Sequence, residues 1–238
     1  MRRRARGPAA RAYARAPLPG GRTPWREAAF AVVDLETSGL DPRHDEMIAW
    51  AVVPVDDGRI ELAAARDGLV RPERPPAADT VRVHGLRPAD LAAGASLDEA
   101  ADALLEALSG RILVAHAAWV ERRFLGAALR RRGARLRGGV VDTLALGRLH
   151  LLDRDGVIPS ALPLERLAAE LGLPVHRRHT APGDALTTAQ VFLALASRAG
   201  RHTTVRTLTH AGRRLEAART YHGRAPLPAS GRRESNPP

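Results

Sequence analysis

The sequence predicts an α/β fold, a sheet with an antiparallel hairpin at one side and helices alternating with the later strands. Three observations carry this reading. Apolar runs of strand length recur at AAFAVVD (28–34), MIAWAVVPV (47–55) and RILVA (111–115). Asp57-Gly58, a hairpin-turn pair, follows the second run. From Ser96 onward, helix-like and strand-like segments alternate, the pattern of a sheet packed against helices.

Each element follows from its residues. The runs 28–34, 47–55 and 59–70 are expected to be the first three strands. After Pro72, Pro75 and Pro76, Ser96 fits the N-cap of a helix over LDEAADALLEAL, with Glu99 completing a capping box and Gly110 ending the segment. Residues 111–115 give a buried strand and Ala118 to about Arg132 a helix. Residues 140–144 (VVDTL) give a last short strand, with Asp142 read as the cap of a following short helix. Helices over 162–171 and 184–197 close the domain. Residues 1–26, rich in Arg, Ala, Pro and Gly without apolar periodicity, are expected to be a disordered basic arm. The main domain then covers 27–200. Residues 201–238 form a basic C-terminal segment, helical over 203–219 and loose from about Tyr221.

Composition bounds the chemistry. The 238 residues are 45% hydrophobic and include no cysteine, which suits one well-buried domain in a reducing compartment and excludes disulfides and thiolate metal sites. No apolar run reaches the roughly 18 residues of a membrane span, and no signal-like stretch follows the basic start, so a cytoplasmic protein without membrane contact is expected. All basic residues are arginine, and the net charge is +11. Residues 1–26 carry +8 and residues 201–238 carry +6, leaving 27–200 at about −3. An acidic centre suits a dication site, while arginine-rich ends either attract polyphosphate or only solubilise.

Three fragments concentrate chemistry: FAVVDLETSGLDP, HAAWVERRFL and HTAPGDALTTA. Side chains alternate along a strand, so Asp34 and Glu36 share a face and can reach one cation, while Leu35 points into the core. Glu121 lies about one turn into a helix, where it is either a metal ligand or a helix cap. Asp184, five residues after His179, is likewise either a ligand or an N-cap. Four carboxylates and one imidazole gathered by a compact fold would hold two divalent cations beside a phosphodiester. The arginines following Glu121 (Arg122, Arg123, Arg130, Arg131, Arg132, Arg135 and Arg137) form either a solvated face or a track for a polyanion.

These fragments resemble the DEDDh, or DnaQ-like, 3′→5′ exonucleases, the family of the proofreading epsilon subunit of bacterial DNA polymerase III. The resemblance covers roughly residues 28–197. It rests on Asp34, Glu36, Thr37, Gly39 and Leu40, on Val83-His84-Gly85-Leu86, and on His179 followed by Asp184-Ala185. The second motif departs from the family's His-Asn-Ala-x-Phe-Asp. Here His116-Ala117-Ala118-Trp119-Val120-Glu121 loses the Asn, replaces the aromatic with Val120 beside Trp119, and lengthens the acid by one methylene.

The resemblance implies a ribonuclease H-like fold with a five-stranded mixed sheet flanked by helices. It implies two Mg²⁺ or Mn²⁺ ions held by Asp34, Glu36, Glu121 and Asp184, with His179 (ordinary pKa about 6.5) as general base. Thr37, Leu40, His84, His116 and Trp119 would contact the substrate. The expected function is hydrolysis at the 3′ end of DNA, releasing nucleoside 5′-monophosphates in proofreading or repair, with any polymerase supplied in trans. Two alternatives are an RNA-trimming enzyme of the ribonuclease T or oligoribonuclease type and a nucleic-acid-binding module weakened in catalysis. Retention of Asp34, Glu36, His179 and Asp184 argues against the last.

Overall fold

The computed structural model describes residues 5–222. The expected disorder of residues 1–4 and looseness of the end beyond residue 222 lie outside them. In chain order the elements are α1 (Gly7–Arg15), β1 (Phe30–Thr37), β2 (Met47–Asp56), β3 (Arg59–Ile60), β4 (Arg66–Leu69), α2 (Ala78–His84), α3 (Pro88–Leu91) and α4 (Leu97–Ala107). Then follow β5 (Ile112–Ala115), α5 (Trp119–Arg131), β6 (Val140–Asp142), α6 (Thr143–Asp155), α7 (Leu164–Glu170), α8 (Ala181–Arg198), α9 (Val205–Thr209) and α10 (Ala211–His222).

One mixed sheet organises the domain, in the order β3-β2-β1-β5-β6, with β4 also pairing β2. β1 runs antiparallel to β2 and parallel to β5, and β5 runs parallel to β6. The hairpin turn is Asp57-Gly58, both at positive φ, as a two-residue primed turn requires. The strand expected over 59–70 is broken by a 3₁₀ turn at Leu62–Ala64, so it pairs with β2 in two short pieces. None of the described helices is long and apolar enough to cross a membrane.

Alternation along β1 divides the core. Phe30 and Val32 face a cluster built on α6, α7 and α8, whereas Ala31, Val33 and Leu35 face a second cluster built on α1, α4 and α5. Helices therefore cover both faces of the sheet, and β1 is apolar throughout its first half. The Ser96–Glu99 capping box forms as expected. The Ser96 amide donates to the Glu99 carboxylate at 2.8 Å, and the Glu99 amide donates to the Ser96 hydroxyl at 3.3 Å.

Four expectations need correction. Residues 5–26 are not a disordered arm. Pro8 fits the first turn of α1, Ala9, Ala10 and Tyr13 are buried, and the helix packs on α4. Arg137 fastens it by donating its amide to the Tyr13 hydroxyl at 3.0 Å and its guanidinium to the Ala16 carbonyl at 2.9 Å. Small alanines do this packing, so no large apolar periodicity announced it. Second, the last strand stops at Asp142, and a 13-residue helix, α6, begins where VVDTL was expected to stay extended. The Asp142 carboxylate accepts the Leu144 amide at 2.9 Å, the predicted cap.

Third, α8 starts at Ala181 with Thr180 as its cap, three residues before the expected Asp184. Fourth, the helix expected over 203–219 is split at His210 into α9 and α10. Ahead of it, residues 21–25 lie along 203–206. The Trp25 amide donates to Thr203 (3.0 Å), that of Val205 to Thr23 (3.0 Å) and that of Arg206 to Gly21 (2.8 Å).

Candidate active site

The parallel strands β1, β5 and β6 all point their carboxyl ends to one side, where open α/β sheets place their sites. Asp34 and Glu36 stand in the second half of β1, on the face covered by α8. A bulge between Glu36 and Thr37 ends the regular pairing there. Asp184 comes from the first turn of α8. Carboxylate oxygens of these three half-buried residues lie within 4.8 Å of one another. Glu121 approaches from the helix on the opposite face. It is buried, and its Oε2 has no hydrogen-bond partner.

Crowded carboxylates removed from water resist ionisation, and each of the four shows it. Burial pushes Asp34 well above the usual carboxylate range, and Glu121, Glu36 and Asp184 add to the shift. Burial, then Asp184, raises Glu36 to about 7. Burial raises Glu121 to about 8 against a bond from its own amide, with Asp142 and Glu36 contributing further. Asp184 is raised by burial and held back by the amide and imidazole of His179. A bound cation would reverse this logic by favouring the charged forms.

Asp184 does not act as the cap its position suggested, because Thr180 caps α8. The N-cap residue of α5 makes no side-chain bond, and Glu121, in the first turn, accepts its own amide. Asp184 instead accepts the His179 amide at 2.9 Å. His179 is exposed and sits at φ +54°, a left-handed conformation in which a non-glycine side chain is uncommon. The loop behind it is tight, since a Cβ added at Gly183 would lie 2.0 Å from the Arg177 carbonyl oxygen.

The second motif is where the backbone is forced. Ala117 has φ +54°, a region that asparagine tolerates better than alanine, and its amide donates to Asp142 at 3.1 Å. Asp142 thus ties the second motif to α6 as well as capping that helix. Sequence reasoning saw only the cap, although an acid at the carboxyl end of a parallel strand was the available signal. His116 was expected to meet substrate, but both ring nitrogens already have protein partners. Nδ1 is 3.0 Å from the Thr143 hydroxyl, and Nε2 donates to the Leu162 carbonyl, 3.2 Å away. The ring therefore positions the strand end.

The remaining candidates divide by exposure. The Thr37 hydroxyl donates to the Gly39 carbonyl at 2.6 Å and shapes the turn after β1. His84 is buried, its Nδ1 accepting the Leu86 amide at 3.0 Å while Nε2 has no partner. Leu40 and Trp119 are exposed, at 62% and 48%, and stay available to a ligand. The arginine run also separates. Arg131 and Arg132 pair with Asp98 and Asp102, and Arg137 clasps α1, whereas Arg122 and Arg123 line an open groove with Trp119.

Comparison with known proteins gives a family and a set of relatives. A family model described as exonuclease (RNase_T) matches residues 31–192. An epsilon-like protein of DNA polymerase III from Rhodobacter capsulatus is 34% identical over 176 residues, 73% of this chain and 24% of that protein. A PolC-type DNA polymerase III from Thermotoga petrophila is 34% identical over 170 residues, 71% of this chain and 12% of that one. The chain thus spans 24% or less of the length of these two curated relatives. Among solved structures, Exonuclease X in complex with 5′ overhanging duplex DNA matches with a TM-score of 0.62 at 22% identity, covering 77% of this chain and 99% of that one. That likeness is one of fold.

Proposed function

This chain belongs to the exonuclease family, and on that premise we propose that it hydrolyses phosphodiester bonds at the 3′ end of DNA and releases nucleoside 5′-monophosphates. The observation that carries the proposal is the convergence of Asp34, Glu36 and Asp184 within 4.8 Å, with Glu121, whose Oε2 has no partner, near enough for its charge to act on Asp34. The donors are all oxygen, mutually repelling and partly dehydrated, which fits hard divalent cations such as Mg²⁺ or Mn²⁺. Asp34, Glu36 and Asp184 would hold them, with Glu121 completing a second position directly or through water. Two such ions, when bound, neutralise charge at the scissile phosphate and at the leaving 3′-oxygen.

The chain's own groups do the rest. His179, exposed and tethered through its amide to Asp184, takes the proton of the attacking water as its oxygen bonds to phosphorus and the bond to the 3′-oxygen breaks. The departing 3′-oxygen is protonated from solvent. Leu40 and Trp119 offer exposed apolar surface to the terminal bases. His116 and Asp142 hold the second motif in place without touching the reaction.

The polymerase III names of the relatives support a replication setting, and we extend the proposal to a polymerase partner in trans. The direct test is digestion of 5′-labelled single-stranded DNA, duplex DNA with a mismatched end and short RNA, each with Mg²⁺ or Mn²⁺. Stepwise shortening of the DNA from the 3′ end, abolished by EDTA, is expected. Preference for RNA would overturn the substrate, and full activity in EDTA would overturn the chemistry.

A further inference from the structure

Alongside the edge strand β6 runs a groove of about 960 Å³, whose arginine-lined wall on α9 and α10 the chemistry above does not use. It extends from the start of β6 at Gly138–Val140 to its end at Asp142, where the second motif begins, and α9 and α10 form its far wall. Arg122, Arg123, Arg206, His210 and Arg213 line it together with Trp119. The acids in the lining are Asp142, whose carboxylate already accepts two backbone amides, and Glu216. Among the described residues no carboxylate lies within ion-pair distance of Arg122, Arg123, Arg206 or Arg213. The guanidinium of Arg123 sits 5.7 Å from the Trp119 ring centre.

We propose that this groove anchors the phosphodiester backbone of a single strand upstream of its 3′ end, a reading that rests on the nuclease function above. Unpaired arginines along a groove supply the sequence-independent attraction, and an exposed indole supplies a stacking platform that only unpaired bases can use. A duplex hides its base faces, and an acidic peptide has no use for the indole face. The groove reaches Asp142 at the carboxyl end of β6, whose carboxylate holds the Ala117 amide of the second motif, so a strand in it would lead toward that end of the sheet. Retention of a long strand between cuts follows from such an anchor.

The test is binding by fluorescence anisotropy in EDTA, where no cleavage occurs, using labelled oligo(dT) and oligo(rU) of about 20 nucleotides. Arg206→Ala/Arg213→Ala is expected to bind the favoured strand roughly tenfold more weakly at low salt. Its plot of log K against log[salt] should be flatter by about 1.4, or 0.7 for each lost phosphate contact. Cleavage of a trinucleotide should be unchanged, and Arg206→Lys/Arg213→Lys should keep most of the affinity. Wild-type affinity and slope in the alanine pair overturn the proposal, as does equal loss in the lysine pair, which would point to packing. Displacement of the strand by an equimolar polyglutamate peptide would assign the groove to an acidic protein instead. Shortening of strands is scored separately. A wild-type chain that cuts nothing while the alanine pair still loses affinity overturns the nuclease reading and supports the groove.

Discussion

The two faces of the sheet supply the site in unequal ways. From the α8 face, Asp34, Glu36 and Asp184 converge through ordinary strand alternation and one helical turn. From the α5 face, Glu121 arrives behind a residue held at φ +54° and brings an oxygen that nothing satisfies. The first half is robust because regular geometry builds it. The second half depends on a strained link and on Asp142, and there the chain departs from the family's pattern.

The comparison breaks most visibly if either half can be removed without loss. Asp34→Ala or Asp184→Ala should take 3′ shortening below detection while the metal-free protein stays folded and gains thermal stability, since the first removes a buried carboxylate and the second the charge that repels Asp34 and Glu36. Retained activity in either would remove the cluster from the chemistry. His179→Ala should lower kcat by roughly 10²–10⁴-fold with little change in metal affinity, and an unchanged pH–rate profile would exclude it as the base.

Glu121 sharpens the contrast. Glu121→Asp should keep measurable activity, whereas Glu121→Gln should lose at least about tenfold, because the amide keeps the size but not the charge. Equal rates for wild type and Gln would make the second half dispensable. Stability reads the same groups without turnover. Glu36 and Glu121 titrate at about 7 and about 8 when folded, above the ordinary glutamate range, so the metal-free folded state keeps protons that the unfolded chain releases. Their stabilising contribution is full below about pH 4.5 and is lost as pH rises through 7 and 8. The metal-free thermal midpoint should fall over that window, and Mg²⁺ should restore it at pH 8. A flat profile would contradict the crowding. Smallest is Ala117→Gly, expected to stabilise by up to about 1 kcal/mol by relieving the left-handed alanine, with Ala117→Asn acting in the same direction. A lower midpoint in both would show that the strain is not there.

What was legible in the sequence follows the same division. β1 and β2 could be read because apolar runs and a primed turn are local signals, and the shared face of Asp34 and Glu36 is strand geometry alone. The helix α1 escaped because Ala9, Ala10 and Tyr13 pack through small surfaces onto α4, and the partner Arg137 is 124 residues away in sequence. Asp184 and Glu121 could each be read as caps, since an acid near a helix start looks the same in either role. Only the placement of Thr180 as the cap of α8 removes that reading for Asp184. The strain at Ala117 shows in the sequence only as the loss of the family's Asn, since an alanine by itself does not mark a left-handed position.

The pairing of residues 21–25 with 203–206 also fixes an order of events. These segments come from opposite ends of the domain, and Trp25, fully buried, completes its packing on Phe192 at 6.2 Å only when α8 is in place. Contacts so distant in sequence close late, because the loop between them must be ordered before they repay its entropy. As the chain grows from its N-terminus, β1 and β2 can pair early, but the first segment must wait until residue 206 has been made. Until then the indole of Trp25 and the edge of β6 stay open, and the nascent domain needs protection from association there.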